Sequence, residues 1–395
     1  MGSILGQLAR QLDDRRLANL YRQRRVVESA QGARVLVDGR ELLCFCSNDY
    51  LGLANHPNVT ESFIQAARLY GVGSGASHLV SGHSREHHLL EEEFAALTGR
   101  DKAVLFSSGY MANLGIINAL VGRQDAVLED RLDHASLIDA AMLSGAKFLR
   151  FQHNDSDSLR SQFAQTVEAR RRLVAVDGVF SMDGDLAPLP ELASIAAEND
   201  ALLMVDDAHG FGVLGSRGLG CCDYFSLSQQ EVPILMCTLG KALGTFGAIV
   251  AGPEILMETL LQFSRSYIYT TALPPAVAAA ARTSLKLLEQ EEWRRSQLAS
   301  HIALFRKEAA LLGLPLMVSE TAIQPLLLGE ETVALAWQNF LQEQGVWVSA
   351  IRPPTVPKGT ARLRITLSAA HEVSDLEKLL DVLRLAHNTL SPGDA

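Results

Sequence analysis

Ala201-Leu-Leu-Met-Val-Asp-Asp-Ala-His-Gly210 is the stretch on which the fold turns. Its first five residues are apolar without a break, too few for a helix, and continuous rather than alternating, which marks a strand buried on both faces. That strand gives way to a carboxylate, Asp206, with His209 three residues on. The pattern repeats in both directions. Ala103-Val-Leu-Phe106 runs into Ser107-Ser-Gly-Tyr110, Leu173-Val-Ala-Val176 into Asp177, and Ile234-Leu-Met-Cys237 into Thr238. Amphipathic helical patterns separate these runs, so the middle of the chain predicts a mostly parallel central sheet covered by helices. Ligands of such α/β sheets bind outside the carboxyl ends of the strands. Here that edge collects Ser181, Asp183, His209 and Lys241 as well.

The whole chain is consistent with an enzyme of this class. It has 395 residues, 48% of them apolar and 20% charged, enough to bury a large core. Thirty-five Lys and Arg face 45 Asp and Glu, and the net charge of -10 opposes a phosphate backbone, which excludes nucleic acid as a partner. No apolar run approaches the roughly 20 residues of a membrane span. Residues 1–10 lack a basic segment followed by an apolar one, so a cytoplasmic location is expected. Cys44, Cys46, Cys221, Cys222 and Cys237 form no C-x-x-C pair and read as reduced, mostly buried thiols.

Outward from the sheet, residues 3–28 read as a helix, and 35–37 with 42–45 as a hairpin around Asp38-Gly39. Beyond Pro274 the pattern becomes α+β. Helices are expected at 275–290 and 292–312, a strand at 323–328, and a helix burying Val333, Trp337, Phe340 and Leu341 that stops at Gly345. Strands at 346–351 and 363–366 and a helix from about 374 complete it, with 391–395 as a frayed end. Three parts are expected: an arm at 1–50, a large α/β domain at 51–270 and a small α+β domain at 271–395, the latter two dividing near 264–276.

The strand ends suggest a specific chemistry. Asp206 can accept a hydrogen bond from a protonated pyridine nitrogen, and His209 can reach a neighbouring ring oxygen. Lys241, in Thr238-Leu-Gly-Lys-Ala-Leu-Gly244, has the setting of a Schiff-base lysine. Ser107 to Asn113 opens a helix whose N–H groups can hold a phosphate, with Tyr110 beside the ring. His134, after another strand, could stack on that ring. Together these residues point to pyridoxal phosphate. Competing motifs are weaker. Gly210-Phe-Gly-Val-Leu-Gly215 spells G-x-G-x-x-G, the remote alternative of a nicotinamide-dependent oxidoreductase, but Ser216-Arg-Gly-Leu-Gly220 is too rich in glycine to continue as a helix. His83-Ser-Arg-Glu-His87 spells H-x-x-E-H, but Ser84 reads as an N-cap that leaves His83 outside the helix, so no metal is expected.

On Ser47-Asn-Asp-Tyr-Leu-Gly52, Gly73-Ser-Gly75, Asp130-Arg-Leu-Asp-His134, Gly178-Val-Phe-Ser-Met-Asp-Gly-Asp185, Val205 to Gly210 and Thr238 with Lys241, the chain resembles the α-oxoamine synthases from about Leu12 to the final helix. These are fold-type I pyridoxal-phosphate-dependent transferases. Ala350-Ile-Arg-Pro-Pro-Thr-Val-Pro357 and Ala361-Arg-Leu-Arg-Ile-Thr366 favour the branch that condenses L-alanine with a pimeloyl thioester, on coenzyme A or acyl carrier protein. The alternative is a sister activity that uses glycine. The resemblance implies Lys241 as the covalent attachment point and later the base, Asp206 on the pyridine nitrogen, His209 on the phenolic oxygen and His134 on the ring. It implies Gly109, Tyr110, Ser181 and Thr238 on cofactor oxygens or phosphate, and Asn48 and Arg364 on the amino-acid carboxylate. Arg22 and Thr355 would meet the acyl substrate. It further implies a homodimer with interfacial active sites, in which Thr270 or Thr271 reaches the partner's phosphate. Asp177 departs from the family's usual Glu, which leaves one supporting contact open.

Overall fold

The computed structural model describes residues 3–390. The strands are β1 (Arg34–Val37), β2 (Arg40–Cys44), β3 (Lys102–Phe106), β4 (Ala126–Asp130), β5 (Lys147–Phe151), β6 (Arg172–Asp177), β7 (Leu202–Asp206), β8 (Ile234–Thr238), β9 (Ala248–Gly252), β10 (Ile323–Gly329), β11 (Val346–Trp347), β12 (Ser349–Ile351) and β13 (Ala361–Thr366). Five helices matter below: α1 (Ile4–Leu17), α2 (Pro57–Tyr70), α3 (Arg85–Thr98), α4 (Gly109–Leu120) and α5 (Ala135–Ser144).

Two compact units divide the chain. One, Asn48–Ser181 with Asp185–Ser296, holds a seven-stranded sheet in the order β3-β9-β8-β7-β6-β4-β5. β4 to β8 pair in parallel, and β9 runs antiparallel between β3 and β8. The unbroken apolar runs are buried on both faces as expected, with Leu173, Val174, Ala175 and Val176 all at 0% exposure. One face packs Ile116 and Ile117 of α4 against Val104, Met204 and Met236. β5 lies on one side of β4 while β6, β7 and β8 follow on the other, so the strand order reverses at β4, the kind of position at which such sheets bind ligands outside the carboxyl ends of their strands.

The long helix Pro275–Gln290 belongs to this unit, not to the C-terminal domain expected from 271 onward. Small residues bring it close to α2, with Ala276 and Ala279 against Ala66, and Arg282 forms ion pairs with Glu86 and Glu93 of α3. The division therefore falls after Ser296, well beyond 264–276.

The other unit joins the described parts of Met1–Ser47 and Gln297–Ala395 with Met182–Gly184, so the N-terminal arm is no separate part. It contains the sheets β1-β2-β11 and β10-β13-β12. The strand expected at 346–351 is split: β11 pairs in parallel with β2, β12 pairs antiparallel with β13, and Val348 between them is buried. Helix α1 ends at Leu17 rather than 28, and Asn19 turns the chain with φ 56°. Trp337 and Leu341 are buried as their spacing predicts, with Val333 and Phe340 partly so, and Gly345 has φ 83°. The fraying expected for 391–395 lies outside the described residues.

The G-x-G-x-x-G segment opens no long helix, and the next helix is only Cys221–Tyr224. Its first glycine serves Asp207 instead: a Cβ on Gly210 would stand 2.1 Å from Asp207 Oδ1. The dinucleotide reading loses its structural context. All five cysteines are free, four of them buried. Among the described residues no helix is long and apolar enough to cross a membrane.

Candidate active site

Each wall of the site is a strand end. After β3, Ser108 caps α4, its Oγ accepting from the Met111 N–H at 3.2 Å. The first-turn amides of Gly109 and Tyr110 have no intrahelical carbonyl to meet, which makes this helix start an anion site. Gly109 has to be glycine, because a Cβ there would stand 2.9 Å from the Thr238 methyl at the end of β8. One turn on, the buried Asn113 amide donates to Asp206 Oδ2 at 2.7 Å and to Ser136 Oγ at 2.8 Å. The Ala208 N–H donates to Asp206 Oδ1 at 3.1 Å, so this carboxylate, 5% exposed at the end of β7, is held by both oxygens.

Asp206 lies directly across the β6–β7 ladder from Asp177. Burial pushes Asp177 well above the usual carboxylate range, the Asp206 charge adds to this, and Lys241 opposes it. Asp177, whose supporting contact the sequence left open, accepts the His134 N–H at 3.0 Å. His134 is the N-cap of α5. Its Nδ1 accepts from the Ser136 N–H at 3.3 Å and lies 2.7 Å from Ser136 Oγ. Burial lowers its pKa, against Asp206, which raises it. The ring is therefore neutral near pH 7, with its proton on Nε2.

Lys241 Nζ lies 2.8 Å from His209 Nε2, and His209 Nδ1 lies 2.7 Å from the Tyr50 hydroxyl, which donates to Asn48 Oδ1 at 3.3 Å. One proton placement satisfies all three contacts: Lys241 donates to His209, His209 to Tyr50, and Tyr50 to Asn48.

Gly109, Tyr110, His134, Ser181, Asp206, His209, Thr238 and Lys241 all line one pocket of about 180 Å³. Thr238 Oγ1 donates to the Ala208 carbonyl at 3.3 Å. The Tyr110 hydroxyl donates to Asp139, so Tyr110 offers the pocket its ring and its amide. Thr270 and Thr271 do not line the pocket, although the Thr271 carbonyl accepts from Ser107 Oγ at 3.3 Å. Asn48 does not line it and accepts a hydrogen bond from the Tyr50 hydroxyl.

Arg364 is buried in β13, opposite Pro325 and Ser349. Arg22 and Thr355, far apart in sequence, come together at 3.3 Å and line a cavity of about 750 Å³ with Arg16, Arg25 and Arg352. Sequence reasoning assigned no role to Tyr50, Asn113, Ser136 or Arg352. Asn113 was detectable, standing four residues after Gly109 on the same helical face. Tyr50 and Arg352 lie within quoted motifs, but nothing in their spacing assigns them a contact.

The residues fit pyridoxal phosphate. A helix start left open by a required glycine suits the phosphate, a carboxylate held from behind suits a ring nitrogen, and an amine on the next strand end suits the aldehyde.

The model of the class I and II aminotransferases matches residues 40–383. The chain is 59% identical to 8-amino-7-oxononanoate synthase of Saccharophagus degradans over 96% of both chains. It is 60% identical to that of Cellvibrio japonicus over 97% of this chain and 96% of the relative. Among solved structures, a serine palmitoyltransferase carrying pyridoxal phosphate as an internal aldimine superposes with a TM-score of 0.94 at 28% identity, over 98% of this chain and 99% of the other. The 8-amino-7-oxononanoate synthase of Francisella tularensis superposes with a TM-score of 0.77 at 33% identity, over 88% and 98%.

Proposed function

We propose, for a chain that belongs to the class I and II aminotransferase family and within it to the 8-amino-7-oxononanoate synthases, that the Lys241 pocket performs the chemistry and the Arg22 cavity receives the acyl donor. The enzyme is a pyridoxal-phosphate-dependent acyltransferase of biotin biosynthesis. It condenses L-alanine with a pimeloyl thioester to give 8-amino-7-oxononanoate, carbon dioxide and the free thiol. Bound in the pocket, the cofactor supplies an electron sink for the pair left on the alanine α-carbon.

Lys241 Nζ would hold the cofactor's aldehyde carbon until the alanine amine displaces it, and the freed lysine amine would then take the alanine α-proton. His209, oriented by Tyr50, fixes where that nitrogen waits and supports the phenolic oxygen. Asp206, braced by Asn113 and the Ala208 N–H, meets the ring nitrogen and keeps its proton in place. His134 covers the ring as a neutral imidazole and brings no positive charge against it. Gly109, Tyr110, Ser181 and Thr238 take cofactor oxygens and phosphate, Thr238 by turning its hydroxyl from the Ala208 carbonyl. Asn48 and Arg364 receive the alanine carboxylate. Arg22 and Thr355 receive the acyl substrate, and Arg352 joins them as a second cation in the cavity. We assign the protein to the cytoplasm as a homodimer, Thr270 or Thr271 completing the partner subunit's phosphate site.

The observation that carries this reading is the convergence of Lys241, His209 and Asp206 on one pocket with the start of α4. The test is an assay of purified protein with alanine or glycine against pimeloyl, acetyl, succinyl and palmitoyl thioesters, on coenzyme A and on carrier protein. Alanine with a pimeloyl thioester, releasing one carbon dioxide per product, is expected. A preference for glycine with a short acyl group would move the protein to the sister activity.

A further inference from the structure

We propose that the segment from His83 to Glu91 forms a site for a zinc-like divalent transition metal, outside the Lys241 pocket, with His83, His88 and Glu91 as its protein ligands. The H-x-x-E-H reading of this segment named the wrong partners. Glu86 is taken by the Arg282 guanidinium at 2.6 Å. Both nitrogens of His87 are taken as well: Nδ1 accepts the Ser84 N–H at 2.9 Å, and Nε2 donates to the Leu273 carbonyl at 2.7 Å. The next two ligand-type residues, His88 and Glu91, are three apart on α3 and share a face. His83 lies just before that helix and turns back onto it, with Nε2 3.9 Å from Glu91 Oε2. One ligating atom from each of the three lies within 4.8 Å of the others.

Two imidazoles and a carboxylate, leaving a position for water, are a zinc donor set, and imidazole selects zinc, nickel or copper over magnesium or calcium. Bonds of about 2.0–2.2 Å need the three atoms to draw together. His88, its side chain 62% exposed, can do so by leaving the exposed Glu92 carboxylate, which lies 3.2 Å from its Nε2.

A second observation points to the same place. His78, 7% exposed, lines the cleft of about 340 Å³ that His83, His88 and Glu91 also line, and its buried Nε2 has no hydrogen-bond partner. Its Nδ1 lies 3.0 Å from His83 Nδ1. That contact orients the His83 ring through the nitrogen that faces away from Glu91, as outer contacts do for metal-bound histidines. Glu92, Asp101 and Lys102 complete the charged lining, and Lys102 is paired with Glu258. A bound ion would pin the turn at His78–Gly82 to α3.

The test uses the untagged holoenzyme, titrated with zinc against a chromophoric chelator, with cobalt(II) as a spectroscopic probe. One ion per chain is expected, with visible cobalt bands of a four- or five-coordinate site. His88→Ala and the double variant His83→Ala/His88→Ala should weaken zinc binding by more than about tenfold while leaving condensation activity unchanged. His387→Ala should bind as the parent does. His88→Ala alters an exposed side chain, so it tests the site even if the double variant does not fold. Absence of zinc binding, binding undiminished in His88→Ala, or zinc displaced by added pyridoxal phosphate would each overturn the proposal.

Discussion

In the Lys241 pocket the polar groups are already bonded to one another, whereas the Arg22 cavity carries two cations, Arg22 and Arg352, beyond Arg16 and Arg25, which pair with Asp13 and Asp38. Asp206 accepts two hydrogen bonds, His134 is held at its backbone and at Nδ1, and Lys241, His209, Tyr50 and Asn48 form a chain. Across the cavity, Arg22 donates to a threonine and Arg352 to the Asn19 carbonyl, and among the described residues neither forms an ion pair with a carboxylate. Burial lowers the Arg352 pKa, and the Arg22 charge lowers it further. The fold thus holds two like charges close together, a cost that an anionic ligand offsets. Moving a proton to a set nitrogen requires geometry fixed beforehand. Receiving a long acidic thioester requires room and positive field instead.

Four substitutions would break or sharpen this contrast. Lys241→Ala removes both the attachment point and the base, and should lower turnover by at least about 10⁴-fold and abolish the visible absorbance of the holoenzyme. An unchanged spectrum would remove the pocket from the chemistry. Arg22→Ala should raise KM for the acyl thioester by about 10- to 100-fold with kcat nearly unchanged, the size of a lost charge-assisted hydrogen bond. A fall confined to kcat would show that the cavity is as preorganised as the pocket. Tyr50→Phe loses one neutral hydrogen bond to His209, and kcat should fall by about three- to tenfold with little effect on KM for the thioester. Full activity would mean that His209 needs no orientation.

The smallest effect on activity is expected at His153, which bridges Asp130 and Asp185. Burial opposes its charge, but the hydrogen bonds its ring donates to Asp130 and Asp185 push its pKa up to about 10. The folded state therefore holds this proton more tightly than the unfolded chain. Its stabilisation is complete below about pH 6.5 and is lost as the pH rises through about 10. His153→Gln should lower the thermal midpoint at pH 6 and converge with the parent above pH 10. A deficit independent of pH would mean that packing, not charge, is the contribution.

How much of this was legible follows from what each feature depends on. The buried strands were, because burial on both faces writes an unbroken apolar run. The residues beyond them were too, because the sheet sends every parallel strand end to one edge. Asp206, His209, Thr238 and Lys241 were found on that ground, and the structure places all four in one pocket. The extent of α1 was not legible, since none of its residues is buried and no core periodicity marks its end. The split of Val346–Ile351 between two sheets was hidden as well, because one short apolar run reads the same whether one sheet or two receive it.

By itself the sequence determined the sheet, its reactive edge and the kind of chemistry placed there, since each is written in residues close together along the chain. Only the tertiary structure decided that Tyr50 orients His209, that Arg22 meets Thr355, that the N-terminal segment joins the C-terminal unit, and that His83 comes within ligand distance of His88 and Glu91. The physical reason is that a hydrogen bond or a ligand set depends on which side chains remain unspent once packing has claimed the others. That remainder is known only when the chain has folded.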